Sequence, residues 1–204
     1  MTTHSTHPSR PADIGASPRA DQLARLLDPN EVVMFDGAMG TMLYAKGVFI
    51  NQCYDELVLR SPDLVREVHA AYVKAGAEVV ETNTFGANRA KLTQYGLDGQ
   101  VALINRRAAE VAREAAGEQR LVAGAVGPLG IRLEPYGPTS RDEARAMFRE
   151  QMEALAVGGA DCFVLETFAD LEELEQAVLA AREVNPAMPF GTRNIARAMP
   201  ALWS

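Results

Sequence analysis

The sequence predicts an α/β fold built on a parallel sheet, and three observations carry that expectation. Short, nearly continuous apolar runs recur along the chain, amphipathic helical stretches separate them, and each run stops in polar residues. A strand that is apolar on both faces needs helices on both sides, which is how parallel sheets are covered. The spacing between runs is about 40 residues, enough for a strand, a helix and a long loop. By these criteria alone, an open doubly wound sheet and a closed β/α barrel both remain.

The elements follow in order. Val32–Phe35 is expected to form the first strand, stopping at Asp36-Gly37. In NQCYDELVLRSPDLVREVHAAYVKAG, Ser61 is placed to cap a helix and Pro62 suits its first position. Leu64, Val65, Val68, Ala71 and Tyr72 share one helical face, and Gly76 stops the helix. Val79-Val80 is a short buried strand leading into Glu81-Thr82-Asn83-Thr84. A helix from about Asp98 to Ala116 turns Val101, Ile104, Ala108, Val111 and Ala115 inward, and Gly117 closes it. LVAGAVGPLG supplies the third strand. Ser140 and Glu143 form a capping box for the next helix, whose buried side is Ala144, Met147, Phe148 and Leu155. CFVLETF is the fourth strand, ending in Glu166-Thr167. Asp170 with Glu173 caps a fourth helix carrying Leu171, Leu174 and Val178, and Met188-Pro189-Phe190 opens a fifth strand.

Composition narrows the function. The chain has 204 residues, 48% of them hydrophobic and 23% charged, enough for one sizeable core. A net charge of -7 without any block of Lys and Arg argues against a nucleic-acid surface. No apolar run approaches the roughly 20 residues of a membrane span. Cys53 and Cys162, far apart and outside any CxxC spacing, are expected to be free thiols in a reducing cytoplasm. Residues 1–20, rich in Ser, Thr, Pro and Ala, have no apolar core of a secretory signal and are expected to be a disordered lead-in. That segment holds His4 and His7, read as inert, whereas His69 falls beside a helix's apolar stripe and is assigned to packing.

In both candidate architectures ligands bind beyond the carboxyl ends of the strands, where Asp36, Asn83 and Glu166 fall. Asp36 and Glu166 are suited to holding an ammonium group by charge-assisted hydrogen bonds. Taken singly, Asp36 is equally a turn residue and Glu166 a loop acid. Asn83 could meet a carboxylate or carbonyl, or hold loop backbone. GAVGPLG lacks the GxGxxG spacing of a phosphate loop and is read as close backbone packing. Tyr136 is either part of a loop over the site or an exposed turn residue.

FDGAMGTML, ETNTFGAN, GAVGPLG and VLETFADLEE, in that order, together resemble the homocysteine-binding domain of homocysteine S-methyltransferases. RLEPYGPTS and NQCYDELVLRSPDLV are similar to bacterial members that fuse this domain to a methylenetetrahydrofolate reductase. The resemblance covers about residues 21–190 and implies a (β/α)8 TIM barrel that methylates the homocysteine thiol to give methionine. In that family zinc binds the sulfur and lowers its pKa. The methyl donor is a methylfolate, S-methylmethionine or S-adenosylmethionine. Carried onto this sequence, the resemblance assigns the amino-acid portion of homocysteine to Asp36, Gly37 and Glu166, with Asn83 and Thr84 as weaker neighbours. It assigns no catalytic residue and no metal ligand.

The sequence departs from the family in two respects. The family's zinc ligands are cysteines of the later strands, including an adjacent pair in a GGCCG-type motif, and neither Cys162 nor Cys53 matches such a position. A whole barrel takes about 250 residues, so only about the first four β/α units are expected here. GTRNIARAMPALWS, residues 191–204, is read as a non-family tail, with a shifted reading frame or truncated gene as the leading explanation; failure to find the barrel's continuation in another frame downstream would count against it. Unpartnered strands are expected to expose two sheet edges and the inner face. A second copy or a complementing C-terminal half would cover them. The expectation is therefore an inactive part of a homocysteine S-methyltransferase, and the alternative is a non-catalytic half-barrel that binds small amino acids or pairs with another chain.

Overall fold

In the computed structural model, which describes residues 18–193, four parallel strands form one sheet in sequence order. They are β1 (Val79–Glu81), β2 (Leu121–Val126), β3 (Cys162–Glu166) and β4 (Phe190–Arg193). The register sets Val79 beside Leu121, Ala123 beside Cys162, and Phe163 beside Phe190. Val32–Phe35 does lie alongside β1, but it is not a buried strand. Only Phe35 bridges to Val79, while Val32 is 77% and Met34 58% exposed. The segment hydrogen-bonds to β1 on one side and has no strand on its other side among the described residues. Its amides and carbonyls are thus half-used, and the ladder stays at a single bridge.

The helices are α1 (Pro18–Leu27), α2 (Met39–Ala45), α3 (Leu57–Arg60), α4 (Pro62–Ala75), α5 (Arg89–Thr93), α6 (Val101–Ala116), α7 (Arg141–Val157) and α8 (Leu171–Val184). Helix α1 overlaps the end of the expected lead-in, because Leu23 and Leu26 give it an apolar stripe that packs on the sheet. Residues 1–17, with His4 and His7, lie outside the described residues, as do 194–204. Ser61 makes no side-chain cap for α4, although Pro62 does occupy its first turn. The buried face of α4 is Val65, Val68 and His69, with Ala71 exposed. A 3-10 turn at Asp98–Gln100 precedes α6, so the α-helix itself starts three residues later than the periodicity suggests.

The Ser140–Glu143 capping box is formed in both directions, fixing the start of α7. Asp170 alone caps α8, accepting from the amides of Glu172 and Glu173. The Glu173 carboxylate instead takes the Leu129 amide at 2.6 Å and so ties α8 to the loop after β2. Within 191–204, the strand runs on through Gly191, Thr192 and Arg193. Pairing with β3 holds it even though its residues do not alternate.

Two layers cover the sheet. On the outer face, Val126, Phe163 and Leu165 meet Phe148, Met152 and Leu155 of α7 together with Phe168 and the apolar side of α8. Burying Phe163, 1% exposed, stabilises the fold by about 2 kcal/mol. On the inner face, Val79, Leu121, Ala123, Cys162 and Val164 pack with Leu23, Leu26, Val33 and Phe35. This face was expected to be open, yet these five strand residues are at most 6% exposed, because α1 and the 32–35 segment pack against them. Helix α1 lies against the amino end of the sheet, where Arg25 reaches Glu78 just ahead of β1 and Arg19 reaches Asp161 just ahead of β3. The carboxyl ends of the strands are left for the site.

Candidate functional site

A cavity of about 650 Å³ opens at the carboxyl ends of the strands, lined by residues from every β/α connection up to β4. Three acids stand on its floor, each where an extended run stops. Asp36 follows Phe35, Glu81 ends β1 and Glu166 ends β3. Strand parity and register put Glu81, Glu166 and Arg193 on the inner face. A flat sheet would hold β1 and β4 about 14 Å apart with parallel side chains. Here the side chains converge, and Arg193 Nη2 lies 2.9 Å from both Glu81 Oε2 and Glu166 Oε2, so the sheet is curled toward this face.

The acid end is under-compensated. Asp36 Oδ2 accepts the backbone N–H of Glu81 at 3.0 Å, whereas Oδ1 is buried without a partner. Burial pushes its pKa up to about 7, against the pull of the Glu81 N–H and of Arg193. Glu81 also keeps one buried oxygen without a partner. Burial, then the neighbouring Glu166, pushes its pKa up to about 8. Burial pulls the Arg193 guanidinium down, but the hydrogen bond to Glu166 and the charge of Glu81 outweigh it, so its pKa is raised and it stays a cation. Thr167, directly after Glu166, has φ 64, the left-handed region that few non-glycine residues adopt. The turn directs the chain away just as Glu166 is delivered to the cavity.

All five residues singled out in the sequence border this cavity, but in different ways. Glu166 bonds Arg193 directly, whereas Asp36 bonds the Glu81 amide and feels only the charges of Arg193 and Glu166. At Gly37, a Cβ would lie 3.1 Å from the Tyr72 ring, whose hydroxyl donates to the Ala38 carbonyl; the absent side chain lets that ring approach. Asn83 donates its amide to the Tyr54 carbonyl at 2.7 Å, which is loop-holding work. Thr84 is fully buried and donates to the Ala125 carbonyl at 2.7 Å, close to the Thr82 hydroxyl, which accepts the Ala125 N–H. The Thr84 side chain thus fastens the end of β1 to β2. Tyr136, 83% exposed, is outside the lining. At Gly127 a Cβ would fall 2.6 Å from the Phe85 carbonyl, so the glycine of GAVGPLG permits close backbone packing.

Four functional candidates were not singled out in the sequence: Glu81, Arg193, Asp55 and Lys91. Glu81 carried the same signal as the others, an acid directly after an apolar run. Asp55, from the turn ahead of α3, and Lys91, on the short helix α5, line the same cavity, and no periodicity marks either. Asp55 Oδ1 accepts the Gly86 N–H at 3.0 Å, and burial pushes its pKa up to about 6. Lys91 Nζ sits 4.3 Å from the Phe85 ring centroid, its pKa lowered by burial against the opposing pull of Asp55.

No group of three or more His, Cys, Asp or Glu side chains is placed to hold a metal ion among the described residues. Cys162 sits at the start of β3, in the apolar inner layer near α1, and burial pushes its thiol up to about 12. Cys53 lies beside Asp55 with its thiol pushed up to about 11, mainly by burial. Neither is a thiolate near neutral pH, and they belong to separate clusters. The donor set for a zinc ion is therefore not met here.

The geometry can be set beside known proteins. A sequence model of the family described as homocysteine S-methyltransferase matches residues 33–199. Methionine synthase of Mycobacterium tuberculosis is 34% identical over 163 residues, covering 74% of this chain and 14% of that protein. Methionine synthase of Mycobacterium leprae is also 34% identical over 163 residues, covering 13% of its length. The chain thus spans about one seventh of these relatives. Among solved structures, the metallated form of the homocysteine methyltransferase MmuM from Escherichia coli aligns with TM-score 0.71 and 31% identity, over 83% of this chain and 65% of that one. Its oxidized form aligns with TM-score 0.74 and 29% identity, over 88% and 70%. The curled parallel sheet is accordingly the α/β architecture of part of a TIM barrel.

Proposed function

Because the chain belongs to the homocysteine S-methyltransferase family, we propose that its strand-end cavity receives the amino-acid portion of homocysteine in a domain for methyl transfer to the thiol, giving methionine. One observation carries this reading: Asp36, Glu81 and Glu166, from three separate connections, converge on one cavity with two buried carboxylate oxygens lacking partners. Such oxygens suit an ammonium group, and charge-assisted hydrogen bonds of this kind are each worth about 1.5–3 kcal/mol. Asp36 receives the ammonium on Oδ1 while the Glu81 amide fixes its other oxygen. Glu166 receives it as the second acid, and Gly37 lets the Tyr72 ring pack against the turn that carries Asp36. Asn83 and Thr84 act indirectly, by setting the loops that shape the cavity. Zinc, when bound in the family, supplies a thiolate at neutral pH. The described residues do not form its donor set, and no step is routed through it; this chain's own contribution is to bind and orient.

That missing donor set favours a second reading, a non-catalytic half-barrel module that binds the amino acid without turning it over. Titration calorimetry of the full chain with L-homocysteine, with and without added zinc, separates the two. Binding strengthened by zinc supports the enzyme domain, and zinc-independent binding supports the module. In either case Asp36→Asn is expected to weaken binding at least tenfold, about 1.4 kcal/mol. Unchanged affinity in that variant would remove the ammonium subsite from consideration.

A further inference from the structure

The acid end of the cavity already holds a cation. Arg193 Nη2 hydrogen-bonds Glu81 Oε2 and Glu166 Oε2 at 2.9 Å each, from the edge strand β4, with its side chain 41% exposed. The geometry points to Arg193 as an internal occupant of the ammonium subsite, a residue that sets ligand affinity by competing with the substrate's own cation. This inference rests on the amino-acid reading above and deepens it.

The argument is one of oxygens and charge. Arg193 uses Glu81 Oε2 and Glu166 Oε2, so an ammonium reaching for these acids competes with it for those two atoms. Two cations held on the same carboxylates also repel. The other oxygens, Asp36 Oδ1 and Glu81 Oε1, buried and unpartnered, and Glu166 Oε1, belong to the same acid cluster, so an amine seated on them still meets the charge of the guanidinium. A ligand amine therefore binds most tightly when Arg193 withdraws. Displacement is feasible because the side chain is already two-fifths exposed, so the guanidinium can move out into water without leaving a buried cation behind. The strand would remain paired with β3 through its backbone. The opposing charge acts on every ammonium ligand and on none that lacks the amine.

Titration calorimetry tests this with the full chain and two probes, L-homocysteine and 4-mercaptobutanoate, which keeps the thiol and carboxylate but has no amine. Arg193→Gln is expected to bind L-homocysteine at least tenfold more tightly than wild type, with 4-mercaptobutanoate unchanged within twofold. Weaker homocysteine binding in Arg193→Gln would make the arginine a ligand, in the manner of a carboxylate clamp, and overturn the inference. Equal binding in both proteins would overturn it as well, while leaving the amino-acid reading intact. If neither protein binds homocysteine at millimolar concentration, the amino-acid reading itself falls, and this inference with it. Should Arg193→Gln lose its cooperative thermal transition, Arg193→Lys serves instead: it keeps the charge on a shorter, single-point donor and is expected to tighten homocysteine binding about threefold.

Discussion

The two ends of the same sheet handle buried charge in opposite ways. At the amino end, Glu78 receives the Met34 amide at 3.0 Å on one oxygen and Arg25 at 2.5 Å on the other, and these two partners, the amide first, lower its pKa. Asp161 at that end receives the Val122 amide at 2.8 Å, the Arg113 guanidinium and, at 3.6 Å, Arg19. Each acid there has its own cation and a backbone donor, and the partners come from α1 and α6, so the pairs tie helices to the sheet. At the carboxyl end Glu81 and Glu166 share Arg193, Asp36 has only the Glu81 amide, and two oxygens of these three acids have no partner. The contrast shows which end is built to hold and which is left with capacity to bind, the division of labour expected of barrel strands.

The contrast breaks most visibly at Asp161. Asp161→Ala strands the half-buried Arg113 and the Val122 amide, and is expected to cost about 3 kcal/mol in urea or thermal unfolding. A loss under 1 kcal/mol would mean the amino end is not the holding end. The opposite sign is expected at Glu81. Its folded pKa, about 8, exceeds the 4.5 of a free side chain, so the stability it contributes is complete below about pH 4.5 and is lost as pH rises through about 8. Glu81→Gln should therefore be more stable than wild type at pH 8, by about 2 kcal/mol after allowance for its coupling to Glu166 and Arg193, and equal to it at pH 4.5. A variant less stable at pH 8 would show the cluster to be fully compensated.

The smallest effect isolates a titration of the opposite sign. His69 is fully buried with neither ring nitrogen partnered, and burial lowers its pKa to about 4. Its contribution is complete above about pH 6.5 and is lost as pH falls through about 4, the reverse of Glu81. His69→Leu is expected to retain about 1 kcal/mol more stability than wild type at pH 5 relative to pH 7.5, measured by thermal unfolding across that range. Parallel curves for the two proteins would transfer the acid sensitivity to other groups.

Sequence was most informative where burial has a period. The apolar faces of α6 and α7 and the runs of β1, β2 and β3 were legible because packing on both sides of a parallel sheet dictates them. Asp36 and Glu166 were legible by the same logic, as acids that interrupt such runs. The rule applied equally to Glu81, which went unselected because Asn83 and Thr84 in the same turn drew the assignment. Position could not show that those two side chains are spent on the Tyr54 and Ala125 carbonyls. Arg193 was hidden for a different reason. It lies in a segment with no alternation, on a strand recognisable only by its pairing with β3. The first extended segment misled in the other direction, since an apolar run does not reveal that, among the described residues, it pairs on one side only.

The left-handed residue after Glu166 has a cost of its own. A threonine at φ 64 gives up about 1 kcal/mol of backbone comfort relative to glycine. Glycine there would fold more readily and would also let the end of β3 swivel, blurring the aim of the carboxylate it carries. Thr167 thus marks a place where the chain forgoes ease of folding for precision of delivery.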